Sequence, residues 1–314
     1  MSPRTSGSQK VKSICIFLAC ALLLLTGCST QENTGRRHLF WKVSDSNSTV
    51  YLLGSLHFAD STFYPLDSVI ENAFDRSQEL AVEIDISNDS IVHLIAALGE
   101  KYGRLPDSLS LDSILPDSIS YRLDSLCLSW KLSLGTFNRF KPWAAAMSVE
   151  AVGIMRMGYD DQLGIDQHFL ARAHEAGKPV SSIETVEEQI YALAGIGTSD
   201  SLGLFYLSTV LREMAYQDSS VRGLMRAWKA GNDSLFCVFM NLDTVRLTPS
   251  DSLLKKQIND LLYYSRNRSM AETISQYLAE DRKIFVVVGA MHLAGNHENV
   301  IDILRRKGFT IEQL

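Results

Sequence analysis

Two stretches at opposite ends of this chain carry the same pattern, and that repetition constrains the fold more than any other feature. Val50-Tyr51-Leu52-Leu53-Gly54-Ser55-Leu56-His57 and Phe285-Val286-Val287-Val288-Gly289-Ala290-Met291-His292 each read as four apolar or aromatic strand residues followed by Gly-x-x-His. Glycine lets a backbone turn sharply off a strand end. The histidine three residues on can then project into the crevice outside the carboxyl ends of the strands, where open α/β sheets bind ligands. Two such turns on neighbouring parallel strands aim two imidazoles at one point. One Gly-x-x-His carries almost no information; two, both at strand ends, carry far more.

The rest of the chain fits that frame. Runs at Leu39–Val43 and Thr49–Leu53 flank the polar turn Ser44-Asp45-Ser46-Asn47-Ser48, the pattern of a hairpin. Apolar residues at 66, 69, 70, 73 and 74 predict a helix over Leu66–Ser77, and Glu79–Ile86 reads as the next strand. Strand, helix, strand at this spacing is a βαβ unit, so those two strands are expected to run parallel. Residues 88–176 are helical in pattern, with Asp-Ser pairs at 89, 107, 112, 117 and 124 reading as helix caps. A helix over Asp166–Glu175 ends at Gly177 and feeds a strand at Lys178–Ile183, and a second helical block covers 186–280. Last come a strand at Lys283–Val288, a helix near 298–307 closed by Gly308, and a strand at Phe309–Glu312. The expectation is an α/β fold: a single domain over 39–314 with a central mixed sheet and a largely helical insertion (about 88–176 and 186–280). Both histidine motifs are expected at one edge of it.

The N-terminus is a separate object. Arg4, Lys10 and Lys12 precede an apolar run from Ile14 to Leu25, and Leu25-Thr26-Gly27-Cys28 follows. The run is shorter than the roughly 20 apolar residues a membrane span needs, so it reads as a signal h-region. The tetrapeptide resembles a bacterial lipobox. Residues 1–27 are then a lipoprotein signal peptide, Cys28 is lipidated, and 28–38 is a tether. That address is the bacterial cell envelope, lipid-anchored, with the outer membrane favoured because no Asp follows Cys28. Without its three basic residues the mature chain carries 27 basic against 36 acidic residues, a net charge of −9. With no basic stripe, nucleic acid is excluded as a partner. Cys127 and Cys237 form no recognisable disulfide or thiolate pattern and read as core thiols.

Glu83 and Asp85 lie two apart in the strand Leu80-Ala81-Val82-Glu83-Ile84-Asp85, and so on one face. A carboxylate there is costly to bury unless paired or metal-bound, which favours a role for Glu83; Asp85 equally suits the cap of a following turn. Glu184 follows its strand and can either reach the same crevice or cap the next helix. Arg266 can pair a buried carboxylate or polarise an oxyanion, with Arg268 suggesting a solvated face instead. Asp166 reads as a helix cap in preference to a site residue. His38, His93, His168 and His174 read as surface or helix-packing residues, and His297 as solvent-facing. There is no Gly-x-Ser-x-Gly elbow, Walker A or Gly-x-Gly-x-x-Gly fingerprint, and Ser55 reads as part of its turn.

The paired Gly-x-x-His motifs with the intervening Val-Glu-Ile-Asp strand resemble the TraB/GumN family, which includes the Tiki metalloproteases. Leu39-Phe40-Trp41-Lys42-Val43, Gly164-Ile165-Asp166, Gly177-Lys178-Pro179-Val180, Ile183-Glu184-Thr185 with Glu188-Gln189, Ala227-Trp228-Lys229-Ala230-Gly231-Asn232 and Arg266-Asn267 fit the same family in order, over about 39–314. The resemblance implies metal-dependent hydrolysis of a peptide or ester bond. It puts His57, Glu83 and His292 on metal or catalytic positions. The residues themselves add Glu184, as a fourth ligand or general base, and Arg266 as catalytic candidates, with Gly54, Gly289, Asp85 and Asn267 in support. Two imidazoles and a carboxylate leave open positions on a divalent ion (manganese, cobalt or zinc) for water or a carbonyl. On this reading Arg266→Ala keeps the ion and lowers hydrolysis. A metal-free acid/base pair is the alternative chemistry. The alternative function is a haem- or metal-binding lipoprotein without catalysis.

Overall fold

A computed structural model describes residues 37–240, 247–280, 282–295 and 298–314. The signal run, Cys28, most of the tether and His297 therefore lie outside the described residues. Six strands form one mixed sheet: β1 (Phe40–Ser44), β2 (Thr49–Ser55), β3 (Glu79–Val82), β4 (Val180–Ser182), β5 (Ile284–Gly289) and β6 (Thr310–Gln313), in the order β4-β3-β5-β2-β1-β6. The first hairpin pairs antiparallel as its polar turn requires, and β6 pairs antiparallel with β1. β2, β5, β3 and β4 are mutually parallel.

The βαβ expectation holds for direction but not for adjacency. β2 and β3 do not touch; β5, from the far end of the chain, lies between them and pairs with both. β5 is buried from Ile284 to Val288, so a strand of unbroken aliphatic and aromatic residues is what a central position demands. The two histidine motifs consequently sit on two interior strands, at the carboxyl end of the sheet and not at its edge. Their register is one residue apart, with Gly54 opposite Val288 and Ser55 opposite Gly289.

Helices cover the sheet and form a second apolar layer beyond it. On the sheet, Phe285 is fully buried and meets the rings of Phe40, Phe74 and Phe169 at centroid distances of 5.7, 5.6 and 4.8 Å. In the helical part, Leu123, Trp143, Leu207 and Leu262 belong to a separate buried cluster. Cys127 and Cys237 are buried and unbonded to each other, as core thiols are. Among the described residues no helix is long and apolar enough to cross a membrane.

The Asp-Ser pairs supply no N-cap residue, though Ser113 accepts from the Ser110 N–H at 3.1 Å in a capping box. The caps before Asp89 and Asp117 are Asn88 and Pro116, Ser110 caps the turn holding Asp112, and Asp124 lies inside helix Asp117–Ser129. Asp89 and Asp117 instead open the first turn of their helices, where a negative charge meets the positive end of the helix dipole.

Candidate functional site

All four parallel strands end in a titratable side chain. β2 runs into His57, β3 into Glu83, β4 into Glu184 and β5, through the short helix Ala290–Leu293, into His292. A crevice with a cavity volume of about 50 Å³ opens beside them, lined by His57, Glu83, Asp166 and Gln189 among others. Gly289 is what lets the groups meet. A Cβ on it would stand 3.2 Å from Glu83 Oε1, 3.6 Å from His292 Cδ2 and 3.8 Å from His57 Nε2. Both imidazoles and the carboxylate thus surround one point that any larger residue would fill. Its N–H donates to Glu83 Oε1 at 2.6 Å. Gly54 serves the other turn: a Cβ there would meet Ala290 Cα at 2.9 Å. Trp228 Nε1 donates to the Gly54 carbonyl at 2.7 Å, so the Trp-containing segment buttresses the first motif.

Each imidazole is oriented through its Nδ1. His57 Nδ1 lies 3.0 Å from Asp166 Oδ2, and His292 Nδ1 lies 2.6 Å from Asn267 Oδ1. Asn267 Nδ2 is committed to the Glu298 carbonyl at 2.9 Å. Its oxygen must therefore accept from His292, which puts the hydrogen on Nδ1 and leaves the Nε2 lone pair facing the crevice. Burial, reinforced by repulsion from Arg266 and His57, pushes His292 down to about 3 against the pull of Glu83. His57 goes the other way: burial opposes its charge, but Asp166, by charge and hydrogen bond, and Glu83 raise it to about 9.

Arg266 ties the carboxylates together. Its Nε and Nη2 donate to Glu184 Oε1 and Oε2 at 2.8 and 2.6 Å, and Nη2 also donates to Glu83 Oε2 at 2.9 Å. Gln189 Nε2 donates to Glu83 Oε2 and Glu184 Oε2, both at 2.9 Å. Burial would push Glu83 up, but His292, Arg266, His57 and the Gly289 N–H together hold it low, at about 2. For Glu184 burial wins: its carboxyl is raised despite Arg266, with Glu83 adding repulsion. Burial works against the Arg266 charge too, but Glu184 and Glu83 outweigh it and raise Arg266 above its ordinary value. A π-helical turn, Asp260–Tyr264, directly precedes helix Ser265–Ala279 that carries Arg266; such turns recur at functional sites.

The structure thus gathers His57, Glu83, His292, Glu184, Arg266 and Asn267 around Gly289, and sets Arg268 outward against Glu298. It does not gather Asp85. β3 ends at Val82, so the alternation that would have put Asp85 beside Glu83 stops before either residue. Asp85 accepts instead from the Ser87 N–H at 3.1 Å and caps a turn. Asp166 corrects the reading in the other direction. Its helix, Ile165–Glu175, is capped at Gly164 without a side-chain bond, and the carboxylate turns to His57. Gly164 permits this, since a Cβ there would lie 2.6 Å from the His57 carbonyl oxygen and 2.8 Å from Asp166 Oδ1. Glu184 is likewise free to face the site because Thr185 and Glu188 supply the cap of the next helix. Gln189, which the sequence marks only as part of the family resemblance, also enters the site through Glu83 and Glu184. Of the other histidines, His38 is buried against Asp67 at 3.5 Å, contrary to a surface reading. His168 packs on Tyr64 and pairs with Glu71, while His93 and His174 are exposed.

Fold and site define an α/β protein with a polar, histidine-bearing crevice at the carboxyl ends of its parallel strands. The chain belongs to the TraB/PrgY/gumN family, whose profile matches residues 39–313. It is similar to "Metalloprotease TIKI1" of Danio rerio, 24% identical over 91% of this chain and 65% of that protein. It is also similar to "Uncharacterized protein YbaP" of Escherichia coli strain K12, 25% identical over 82% of this chain and 90% of that protein. "Metalloprotease TIKI2" of Danio rerio is 23% identical over 83% of this chain and 58% of its own length. The chain therefore spans less than two thirds of either of these two Danio rerio metalloproteases. No solved structure matches it.

Those relatives' names imply a metal, and the donors here fit one in kind. His292 Nε2 and Glu83 Oε1 face each other at 3.8 Å. Both are acceptors in these protonation states, so what they can share is a cation or the O–H groups of a water. An ion with bonds of roughly 2.0–2.2 Å to nitrogen and oxygen suits that gap. Imidazoles tied through Nδ1 to an oxygen are also the usual form of metal-binding histidine. The set is not a closed cage: among the described residues no three His, Cys, Asp or Glu side chains already stand arranged around an ion. His57, which carries a proton below about 9, is the donor that would have to change.

Proposed function

We propose that this protein is a hydrolase of peptide or ester bonds, lipid-anchored through Cys28 in the bacterial cell envelope, and that the crevice at Gly289 is its active site. The observation that carries the reading is the facing of the His292 Nε2 lone pair and Glu83 Oε1 across 3.8 Å, with His57 beside them. A divalent ion would be held by His292, Glu83 and His57, and when bound it supplies an activated water and polarises a carbonyl. The remaining work belongs to the chain. Asn267 and Asp166 fix the two rings through Nδ1. Arg266, locked between Glu83 and Glu184, keeps a fixed positive charge at the floor, suited to a developing oxyanion. Glu184 and Gln189 hold that guanidinium and Glu83 in place.

One observation favours a second chemistry for the same reaction. His57 and His292 lie on opposite sides of neutrality, which is the signature of an acid and a base. The test is metal analysis of the purified mature protein, with hydrolysis of a peptide and ester panel measured before and after a chelator. We expect activity to fall with the chelator, to return with manganese, cobalt or zinc, and to be absent in His292→Ala. Hydrolysis that survives complete ion removal replaces the metal by the acid/base pair. A Soret band on adding haem, lost in His57→Ala, with no hydrolysis under any condition, replaces the enzyme by a ligand binder.

A further inference from the structure

The crevice is polar on one side only. Val82, Ile84, Ile86, Ile95 and Val287 line the rest of it. Val82 and Val287 are strand ends of the sheet core, but Ile84 and Ile95 belong to a small separate apolar cluster with Val186 and Ile190. Ile86 packs on that cluster from the bend after β3 and remains partly exposed. All five are aliphatic; every charged residue lining the crevice is one already placed at the centre. Ser55 adds a second observation. Its side chain lines the same crevice at 2% exposure, and its Oγ has no hydrogen-bond partner among the described residues. A buried hydroxyl without a partner is costly, so this one is set for a group that arrives with the ligand. The cavity volume of about 50 Å³ is a few times the roughly 10–15 Å³ that one water needs, room for one side chain and not for a whole peptide.

We propose that this wall is a specificity subsite that takes a branched aliphatic side chain of a peptide substrate, with Ser55 bonding the peptide backbone beside it. The inference deepens the hydrolase reading and rests on it for the position of the scissile bond. Charged side chains are rejected because the wall offers them no partner, and glycine gains nothing there. One methylene in an apolar pocket already discriminates by roughly tenfold or more.

Binding and cleavage are to be read separately. Binding of N-acetyl amides of glycine, valine, leucine, isoleucine, lysine and aspartate to the intact mature protein is measured by ligand-observed NMR. Cleavage is measured on peptides varied at the same positions. The three branched aliphatic amides should bind at least tenfold tighter than the other three. Ile86→Asp, at a partly exposed site the fold tolerates, should abolish that preference. Ser55→Ala should weaken all the amides together without changing their order. Leu128→Asp, at a position 65% exposed and remote from the crevice, should change nothing. Equal binding of all six amides, or a preference that survives Ile86→Asp, overturns the subsite. Selective binding with no peptide cleaved keeps the subsite and removes the hydrolase reading; cleavage without aliphatic preference does the reverse.

Discussion

Two histidines with the same sequence context differ in charge. Burial opposes the charge on both, but Asp166 and Glu83 hold a proton on His57, whereas His292 has the neutral amide of Asn267 on Nδ1 and is further repelled by Arg266. Asp166→Asn keeps the hydrogen bond and removes the charge. The His57 titration followed by NMR, near 9 in the parent, should then fall by about one unit or more while His292 stays neutral. An unmoved His57 would assign its raised value to Glu83 alone. The same value sets the pH dependence of ion binding. Below about 9 the ion must displace the His57 proton, so affinity rises with pH, by up to about tenfold per unit, and levels off above that point. Calorimetry at pH 7 in buffers of different ionisation enthalpy should show one proton released per ion; none released removes His57 from the ligand set. Arg266 takes the first of its two sequence readings, pairing buried carboxylates. It neutralises two buried carboxylates, so Arg266→Ala leaves both uncompensated and should cost about 3–5 kcal/mol in denaturant unfolding. Lost stability, and not only lost hydrolysis, is its expected phenotype.

Between elements, buried polar contacts set the behaviour. Glu150 of helix Pro142–Arg156 is buried and accepts from Tyr206 Oη of helix Asp200–Glu213 at 2.9 Å. Burial raises its carboxyl well above 4.5, with Glu213 adding to the shift and the Tyr206 bond opposing it. The folded state therefore keeps a proton the unfolded chain releases. Its penalty is absent below the unfolded value, near 4.5, and grows as pH rises from there toward the folded value. Glu150→Gln keeps an acceptor for Tyr206 and removes the penalty. It should stabilise the protein by about 1 kcal/mol or more at pH 7, with the gain gone at pH 4 in thermal melts. Gly231 shows why its segment carries a glycine. At φ 61° it follows helix Gln217–Lys229, and a Cβ on it would lie 1.4 Å from the Arg37 carbonyl oxygen.

At the scale of the molecule, the strand that pairs with both β2 and β3 is synthesised near the end of the chain. The sheet cannot close, and His292 cannot meet Glu83, until β5 enters between them. A chain ending at residue 283 should therefore show no slow-exchanging amides in β2 or β3 by hydrogen exchange; native-like protection there would mean the first half folds alone. Phe285→Ala, at the centre of the aromatic cluster, should cost about 3–5 kcal/mol and leave circular dichroism and tryptophan fluorescence melting together, as one cooperative unit.

The sequence alone specified the strand-ending glycines, the two histidines, Glu83 and the α/β class, because those features are local: an apolar run of strand length, a residue without a Cβ, a side chain three positions on. It did not specify that β3 stops at Val82, because strand length depends on the neighbours, and the registers with both β4 and β5 end at Val82. Nor could it tell Asp166 from an ordinary first-turn acid, or place Gln189 at the site. Both lie on helices whose periodicity looks the same whichever way those side chains face. Asp166 meets His57 from 109 residues away, and Arg266 meets Glu83 from 183. A pairing over such separations is set by how helices pack on the sheet, which no local pattern encodes, so the tertiary structure alone decided which histidine holds the proton.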